Sequence, residues 1–417
     1  MSMINVAIMG YGTIGSGVAE ILEVNKTIIT AQAGQEVALK YVLDLQDFSG
    51  TPVADKIIHD IAVILNDDEV RIVVETMGGL NPSYPFVKKC LEAGKHVVTS
   101  NKALVAAHGS ELLKIAADRD VNFLFEASVG GGIPIIRPLY RCLMGERIEE
   151  ITGILNGTTN YILTKMADQG ESFAGALKEA QALGYAERDP EADVEGHDTC
   201  RKIAILTALA SGREVNYEDI HTEGITAITD LDFRYAKAMG TSVKLFGSSR
   251  VDGNQIHAWV APVMIDRTHP LYSVNDVYNG ILVKGNMLGT TMYYGSGAGK
   301  LPTASAVVAD IIEASQNQER NVLRGWTDEP LMIADMETSS HRYFVRVSGS
   351  LENKAGMLDK IWGSVETVIL DGLDEFAFVT SVITEKEFSE KKAATNQAWK
   401  AAGDRGIRQV IRAELPC

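Results

Sequence analysis

The chain has 417 residues, 46% hydrophobic and 23% charged, so it can form about two or three domains with sizeable cores. This composition excludes a disordered chain. The formal net charge of −16 argues against nonspecific binding to nucleic acid or to an anionic membrane, because both surfaces are themselves negative.

The cysteines and the N-terminus indicate a reducing compartment. The four cysteines form no CxxC pair and match no zinc pattern; they are Cys90, Cys142, Cys200 and Cys417. The start of the chain lacks the basic region of a signal peptide. No apolar run reaches the roughly 18 residues of a membrane helix. We therefore expect a cytoplasmic protein that has no membrane partner.

Strands and helices alternate through the first third of the chain. Short β-branched apolar runs predict strands over 4–9, 37–43, 71–76, 96–99 and 122–126. Apolar residues at helical spacing predict helices over 16–23 and 84–93, the second followed by Gly94 as its C′ residue. This alternation is typical of an α/β fold with a Rossmann-type doubly wound parallel sheet.

The pattern changes after the triple glycine at 130–132. We predict strands over 150–155, 243–246, 256–262 and 281–284, and helices over 161–166, 173–183 and 198–210. A helix over 304–314 is expected to pack back on the first domain, and a strand over 342–348 opens a small α/β module. The predicted domains are therefore 1–130, completed by about 300–325, an α+β domain at 131–300, and the module at 340–417.

The turn after the first strand has the pattern GxGxxG, here Gly10-Tyr11-Gly12-Thr13-Ile14-Gly15. Gly10 permits a tight turn, Gly12 lets a pyrophosphate approach the backbone, and Gly15 lets helix and strand pack closely. The N-terminus of the helix that follows offers N–H groups to phosphates. This context predicts a nicotinamide-dinucleotide site, and the alternative is a glycine-rich turn without a ligand.

Asp44 ends the second strand and is the candidate for binding the ribose hydroxyls of the cofactor. It lies later than the usual ~20 residues after the glycines, so 27–35 would form a longer connection. Its neighbours include no arginine that could hold a 2′-phosphate, which favours NAD over NADP. The alternative is a solvated aspartate at a strand end.

An acidic segment at 184–198 runs into an apolar helix. Asp198 and Lys202 are four residues apart and share a face of that helix, with the acid in the favourable N-terminal position. The spacing alone fits a surface ion pair. However, the stretch 203–210 is too apolar to lie freely on a surface, which favours a buried functional pair.

Several further carboxylates crowd the same segment, namely Glu187, Asp189, Glu191, Asp193 and Glu195. Their repulsion is costly unless a cation or a substrate ammonium uses them. A carboxylate metal site is the rival interpretation, but the segment matches neither an EF-hand nor a zinc pattern. His197 has no obvious partner and is expected to be structural or exposed.

Seven motifs in order resemble the homoserine dehydrogenase family; they lie at 10–18, 75–79, 99–104, 126–136, 156–161, 187–202 and 299–310. The resemblance covers about residues 1–320. It implies the reversible NAD(P)-dependent reduction of L-aspartate 4-semialdehyde to L-homoserine, on the route to threonine and methionine. It also implies a homodimer, with 131–300 as the substrate and dimerisation domain.

The resemblance assigns catalysis to two lysines and an acid. Lys202 would donate the proton to the carbonyl oxygen as hydride arrives, and Asp198 would position the substrate and hold Lys202. Lys102 would contact cofactor and substrate. A cationic lysine suits this chemistry, because hydride addition to an aldehyde creates an alkoxide. The alternative for Lys102 is a solvated loop lysine.

The resemblance also implies binding residues. Glu187 would bind the substrate ammonium, with Thr158 and Asp193 nearby. Thr76 and Ser100 would extend the cofactor site. The carbonyls of a glycine-rich loop would hold a monovalent cation such as sodium, which prefers oxygen ligands; this set is Glu126 with the backbone carbonyls of Val129, Gly131 and Ile133. The alternative for Glu126 is a buried acid capped by backbone N–H groups.

The stretches 341–347 and 351–361 resemble the opening of an ACT domain. Ala355 stands where the family usually has proline, and 363–374 departs from the usual second strand. Effector binding by threonine and a structural or dimerising role both stay open. For the whole chain, the alternatives to the dehydrogenase are another Rossmann oxidoreductase of an amino-acid aldehyde and a non-catalytic nucleotide-binding amino-acid sensor.

Overall fold

The computed structural model describes residues 3–252 and 255–416, so Cys417 and the first two residues lie outside the description. The chain forms two compact units. The first consists of Met1–Glu149, Arg201–Glu218 and Val283–Met332, and the second of Glu150–Cys200, Asp219–Leu282 and Ile333–Cys417. No helix among the described residues is long and apolar enough to cross a membrane.

A parallel sheet of six strands forms the centre of the first unit. Its strands are β1 (Met3–Met9), β2 (Glu36–Leu43), β3 (Ile57–Ile58), β4 (Val70–Glu75), β5 (His96–Thr99) and β6 (Phe123–Leu124). They lie in the order β3-β2-β1-β4-β5-β6. Almost every residue of β1, β4 and β5 is buried, as expected for strands covered by helices on both faces. The predicted Rossmann-type sheet is confirmed.

Thirteen helices belong to the described residues. They are α1 (Thr13–Val24), α2 (Lys26–Ala33), α3 (Ile61–Leu65), α4 (Ser83–Glu92), α5 (Lys102–Asp118), α6 (Gly157–Gln169), α7 (Phe173–Ala182), α8 (Glu191–Val194), α9 (His197–Ser211), α10 (Asp230–Ala238), α11 (Lys300–Gln316), α12 (Leu351–Trp362) and α13 (Glu385–Ala401). In the first unit, α11 packs on α1, where a Cβ at Gly17 would lie 3.0 Å from the side chain of Ala304.

Eleven further strands follow in chain order. They are β7 (Ile148–Ile154), β8 (His221–Thr222), β9 (Thr241–Asp252), β10 (Gln255–Asp266), β11 (Tyr278–Gly285), β12 (Gly289–Ser296), β13 (Ser340–Ser348), β14 (Glu366–Ile369), β15 (Glu375–Val379), β16 (Ile383–Thr384) and β17 (Ile407–Glu414). Of these, the strands that lie wholly in the second unit include a run that pairs in the order β9-β10-β17-β13-β15-β14.

The C-terminal part of the second unit has its own core and topology. Its main elements follow one another as β13-α12-β14-β15-α13-β17, which is the βαββαβ order of ferredoxin-like folds. Aromatic side chains fill its core, including Tyr343, Trp362, Phe378 and Trp399. The strand β17 pairs in parallel with β10, so this sheet is continuous with the other strands of the unit.

The structure differs from the predicted elements in three places. The strand expected over 122–126 ends at Leu124, because the backbone N–H of Glu126 donates to Asp310 at 2.8 Å instead of to a neighbouring strand. The long connection expected over 27–35 contains the helix α2, whose C-cap is Gly34 with a φ of 75°. The long helix α5 was not predicted, although Asn101 caps it by accepting from the N–H of Leu104.

Candidate active site

The glycine turn of the first unit has the geometry that its sequence predicts. Gly10 has a φ of 94°, a conformation that other residues rarely adopt. A Cβ at Gly15 would lie 2.0 Å from the carbonyl oxygen of Gly10, so only glycine fits there. The hydroxyl of Thr76 donates to the same carbonyl at 2.8 Å and ties the turn to the end of β4.

Gly12 differs from Gly15 in that its surroundings are open. No heavy atom lies within 4 Å of a Cβ built at Gly12. Gly12 is also the N-cap of α1, whose first turn contains no acidic residue. The first N–H groups of a helix have no partner within it, and its dipole favours an anion there. The turn therefore has both the space and the donors for a dinucleotide phosphate.

Asp44 lies beside the glycine turn. Its Oδ2 accepts from the backbone N–H of Tyr11 at 2.7 Å, and its Oδ1 accepts from that of Gln46 at 3.1 Å. The imidazole of His59 meets the backbone carbonyl of Asp44 at 2.7 Å, and this hydrogen bond raises the pKa of His59. Asp44 is thus held in place rather than freely solvated, with a basic side chain next to it that sequence reasoning missed.

Glu75 organises the edge of the sheet where β4 and β5 end. Its fully buried carboxylate accepts from the hydroxyl of Thr99 at 2.6 Å and from that of Ser83 at 3.0 Å. It also accepts from the backbone N–H groups of Met77 and Gly78. The sequence includes Glu75 as the first residue of the motif at 75–79, but no role for it was predicted. An acid that ends an apolar strand before Gly78-Gly79 was the available signal.

Ser100 and Lys102 follow β5 at the same edge. The N–H of Ser100 donates to the backbone carbonyl of Glu75, and the amide of Asn101 donates to that of Gly79 at 2.6 Å. Lys102 is the first residue of α5 and not a loop residue. The candidate cofactor residues Thr76, Ser100 and Lys102 therefore gather at the carboxyl ends of β4 and β5, where doubly wound sheets bind ligands.

The predicted cation loop belongs to the first unit. The carboxylate of Glu126 accepts from the backbone N–H groups of Ile135, Ile136 and Arg137 at 2.6, 2.9 and 2.7 Å. Burial raises the pKa of Glu126, although these donors oppose the shift. The side chain of Glu126 is thus a buried acid that is capped by backbone N–H groups. In the loop itself, Gly131 has a φ of 55°.

An ionic network holds this loop against α11. Arg137 forms ion pairs with Asp310 and Glu313, the latter at 2.7 Å. Tyr140 and Arg141 also donate to Glu313. Since Asp310 accepts from the N–H of Glu126, one cluster fixes both ends of the glycine-rich loop.

In the second unit the structure brings two of the predicted carboxylates together. The side-chain amide of Asn156 donates to Asp193 and to Asp198, each at 2.8 Å. Thr158 lies in the first turn of α6 and donates to the backbone carbonyl of Tyr185 at 2.6 Å. Glu187 is exposed and its side chain is not part of this cluster.

Asp198 and Lys202 lie one turn apart on α9, whose residues from 201 onwards belong to the first unit. Asp198 is 2% exposed and Lys202 is 8% exposed, so the alternative of a surface ion pair is wrong. His197 is exposed, as expected. Among the described residues, no group of three or more His, Cys, Asp or Glu side chains could hold a metal ion.

Comparison with known proteins gives the family. Residues 10–126 match the family model of the homoserine dehydrogenase NAD-binding domain, and residues 134–312 match that of homoserine dehydrogenase. A homoserine dehydrogenase of Bacillus subtilis (strain 168) is 37% identical over 409 residues, which cover 94% of each chain.

Solved structures agree. A homoserine dehydrogenase from Thiobacillus denitrificans superposes with a TM-score of 0.91 at 35% identity, covering 99% of this chain and 98% of that one. A hyperthermophilic archaeal homoserine dehydrogenase in complex with NADPH superposes with a TM-score of 0.63 at 29% identity, covering 75% of this chain and 98% of that one.

These matches confirm the resemblance inferred from the seven motifs. They favour homoserine dehydrogenase over a different Rossmann oxidoreductase and over a non-catalytic amino-acid sensor. The relatives align along almost the whole sequence, and the glycine turn has the geometry of a dinucleotide site. The chain therefore belongs to the homoserine dehydrogenase family and is an NAD(P)-dependent oxidoreductase.

Proposed function

We propose that the chain interconverts L-aspartate 4-semialdehyde and L-homoserine, with Lys202 as the proton donor and acceptor. The observation that carries this role is the burial of Lys202 one helical turn after the buried Asp198. A buried lysine is costly unless its charge is used, and an alkoxide that forms beside it is stabilised strongly.

The proposed chemistry balances one hydride and one proton. A bound reduced nicotinamide would supply the hydride to the carbonyl carbon of the semialdehyde. Lys202 gives its proton to the carbonyl oxygen, which yields the alcohol of homoserine and a neutral amine. In the oxidative direction the neutral amine of Lys202 accepts the hydroxyl proton.

The substrate is bound by its charged groups. Asp198 orients Lys202, and Asp193 with Glu187 attracts the substrate ammonium. Thr158 lies nearby, and Lys102 contacts cofactor and substrate. The hydrogen bonds that join Asp193 to Asp198 through one amide support a shared substrate role for these two acids.

Steady-state assays with L-homoserine and either NAD+ or NADP+ test this proposal. Lys202→Ala should lower kcat by at least about 100-fold, because a general acid–base is lost. Its affinity for NADH, measured by fluorescence titration, should stay close to that of the wild type. Lys178→Ala, at an exposed lysine of α7, is the matched control and should keep normal turnover.

Two results would contradict the proposal. Absence of turnover with both cofactors would exclude the activity. Equal loss of turnover and of NADH affinity in Lys202→Ala would assign Lys202 a structural role.

We propose that NAD is preferred over NADP. The carboxylate of Asp44 lies within hydrogen-bond distance of the glycine turn, and a negative charge there disfavours a 2′-phosphate. His59 beside Asp44 would act in the opposite direction when protonated. The ratio of kcat/KM for NAD+ to that for NADP+ should exceed one and fall in Asp44→Ser. A clear preference for NADP+ in the wild type would contradict this proposal.

We propose that a sodium ion binds to the backbone carbonyls of Val129, Gly131 and Ile133. Three backbone N–H groups occupy the carboxylate of Glu126, so its backbone carbonyl and not its side chain would complete the set. A Cβ at Gly131 would lie 2.4 Å from the carbonyl oxygen of Gly297, which explains the glycine in this loop. Sodium should raise activity and Tm in sodium-free buffer at constant ionic strength, and no response would contradict the site.

We propose three domains: a dinucleotide-binding domain at 1–130, completed by about 300–325, a substrate and dimerisation domain at 131–300, and an ACT-like domain at 340–417. The βαββαβ order supports the last assignment. A structural role for it is supported by the pairing of β17 with β10. A shift in Tm with added threonine would instead indicate an effector site.

We propose a homodimer that forms along β12. Alternate residues of this strand are exposed, and Met292 on it is 42% exposed. Met287 and Leu288 extend the apolar surface at the hairpin tip. Light scattering should give twice the chain mass, and Met292→Glu should lower it. A wild-type monomer would contradict the proposal.

We propose a cytoplasmic location. The thiols of Cys90 and Cys142 form no disulfide among the described residues, which supports a reducing compartment.

A further inference from the structure

Asn156 uses both ends of its side-chain amide in the substrate half of the candidate site. It is buried and precedes α6 as its N-cap. Its Oδ1 accepts from the backbone N–H of Thr159 at 2.9 Å. Its Nδ2 donates one hydrogen bond to Asp193 and one to Asp198, each at 2.8 Å.

The orientation of this amide follows from its partners. If Oδ1 and Nδ2 were exchanged, an oxygen would face two carboxylates and an NH₂ group would face the N–H of Thr159. The oxygen would have no hydrogen atom to share with either carboxylate, and the NH₂ group would repel the N–H of Thr159. Only the observed orientation satisfies the amide.

Helix capping alone does not require asparagine at this position. Asparagine, aspartate and serine are about equally good N-caps, because each offers an oxygen to the first N–H groups. The NH₂ group is what distinguishes asparagine from the other two. Both hydrogens of this NH₂ group are donated to carboxylates of the acidic segment. The need for asparagine at this position is therefore explained by Asp193 and Asp198 and not by the capping of α6.

The two carboxylates need such a donor. Both oxygens bond to the same nitrogen at 2.8 Å, so they lie within about 6 Å of each other, where like charges repel. Asp193 lies in α8 and Asp198 lies in the first turn of α9, and the turn between the two helices contains Gly196 with a φ of 82°. The shared amide donor offsets part of this repulsion.

We infer that Asn156 is a positioning residue that holds Asp193 and Asp198 together in the geometry that binds the substrate ammonium and orients Lys202. This inference rests on the proposed function of the same site. It predicts that the NH₂ group of Asn156 acts on the kinetics of homoserine and that its Oδ1 acts on the stability of α6.

Three substitutions separate these two roles. Asn156→Ser keeps a capping oxygen and loses the paired donors. Asn156→Asp also keeps the cap, but it places a third negative charge against the two carboxylates. Asn156→Ala loses cap and donors together. Ser172→Ala is the matched control for a lost cap, since Ser172 caps α7 and contacts none of the predicted site residues in its capping bond.

The kinetic test compares kcat/KM for L-homoserine with the KM for NAD+ in each variant. Asn156→Ser should lower kcat/KM for L-homoserine by about 10- to 100-fold, the size expected for a lost hydrogen bond to a charged group. Asn156→Asp should lower it further. In both variants the KM for NAD+ should change by less than about twofold. The Tm of Asn156→Ser should stay close to that of the wild type, because the cap remains. Asn156→Asp should lower the Tm, because it adds a negative charge beside two carboxylates in a buried position. Ser172→Ala should lower the Tm without altering either KM.

The outcomes distinguish this inference from the function on which it rests. Absence of homoserine turnover in the wild type would overturn both. Wild-type kinetics in Asn156→Ser, in an active enzyme, would overturn the inference alone. So would a Tm lowered as much in Asn156→Ser as in Asn156→Ala with equal losses for homoserine and NAD+, since that result assigns only a structural role.

Discussion

At the scale of single residues, the glycine turn contains two glycines that serve different purposes. A Cβ at Gly15 would meet the backbone of Gly10, which cannot move aside, whereas a Cβ at Gly12 would project into open space. Gly15 is thus required by the packing of the protein itself. We expect Gly12 to be required instead by the cofactor, whose pyrophosphate would occupy the open space.

We expect Gly15→Ala and Gly12→Ala to differ in their effects. Gly15→Ala should destabilise the protein by about 1–3 kcal/mol through overpacking. Gly12→Ala should leave the Tm unchanged and weaken NADH binding by at least about tenfold, which corresponds to 1.4 kcal/mol. Thermal unfolding and fluorescence titration of both variants check this. Equal destabilisation by the two substitutions would contradict it.

Lys244 is a second residue whose effect follows from its position. It lies on β9, is 1% exposed, and donates to Val274 and Asn275 at 2.7 Å. Burial lowers its pKa from 10.5 to about 8. Between these values the unfolded chain binds more protons than the folded one, so stability rises with pH through this window.

The charged form of Lys244 therefore costs about 3 kcal/mol at neutral pH. Lys244→Met removes this cost together with the hydrogen bonds. We expect the unfolding free energy of the wild type, relative to that of the variant, to increase between pH 8 and pH 10.5. Urea unfolding at several pH values measures the difference. A difference that does not change with pH would contradict the argument.

At the scale of elements, a buried ion pair joins β13 to α10 within the second unit. Arg346 on β13 lies 2.9 Å from Asp232, and Glu375 is 3.5 Å away. Asp232 is fully buried and also completes the capping box of α10 with Thr229. One carboxylate thus caps the N-terminus of α10 and anchors a strand of the C-terminal part.

We expect Arg346→Met to destabilise the protein by about 3–5 kcal/mol, because it removes the guanidinium that compensates the buried charge of Asp232. Adding Asp232→Asn should recover part of that loss, since the charge of Asp232 is then removed as well. Urea unfolding of the single and double variants forms a double-mutant cycle. A double variant as unstable as the sum of the single variants would indicate that the two residues do not interact.

At the scale of the whole molecule, the C-terminal part belongs to the same compact unit as residues 150–200 and 219–282. Its strand β17 pairs with β10, and Arg412 on β17 bonds to Glu223 at 2.7 Å and to Glu385 at 2.9 Å. The C-terminal part is therefore joined to the rest of the second unit by a shared sheet and by ion pairs.

We expect deletion of 333–417 to cause aggregation, because it exposes the edge of β10 together with its buried apolar residues. Size-exclusion chromatography of the full chain and of the deleted chain measures this. A monodisperse deleted chain with the Tm of the full chain would show that the C-terminal part is a separate addition.

Local patterns account for what could be predicted. The apolar runs of β1, β4 and β5 and the glycine turn are short-range features, so their positions followed from the sequence. The same holds for Asp198 and Lys202, whose spacing places them on one helix face. The helix α5 was missed because its apolar residues follow a polar start at Asn101-Lys102 that also fits a loop.

Contacts between distant residues could not be predicted in this way. Asn156 meets Asp193 and Asp198 across 37 and 42 residues of sequence, and no local spacing indicates such a meeting. Glu126 was expected to bind a cation, but its side chain accepts from backbone groups nine to eleven positions later. The roles of these polar residues depend on which partners the fold supplies.

By itself, the sequence determined the doubly wound sheet and the dinucleotide turn, because hydrophobic periodicity and glycine positions act over a few residues. It indicated the family through the resemblance of seven motifs. Only the tertiary structure decided which carboxylates share a donor, that Lys202 and Asp198 are buried, and that β17 completes a sheet with β10. The physical reason is that burial and polar pairing are properties of packing between segments far apart in the chain.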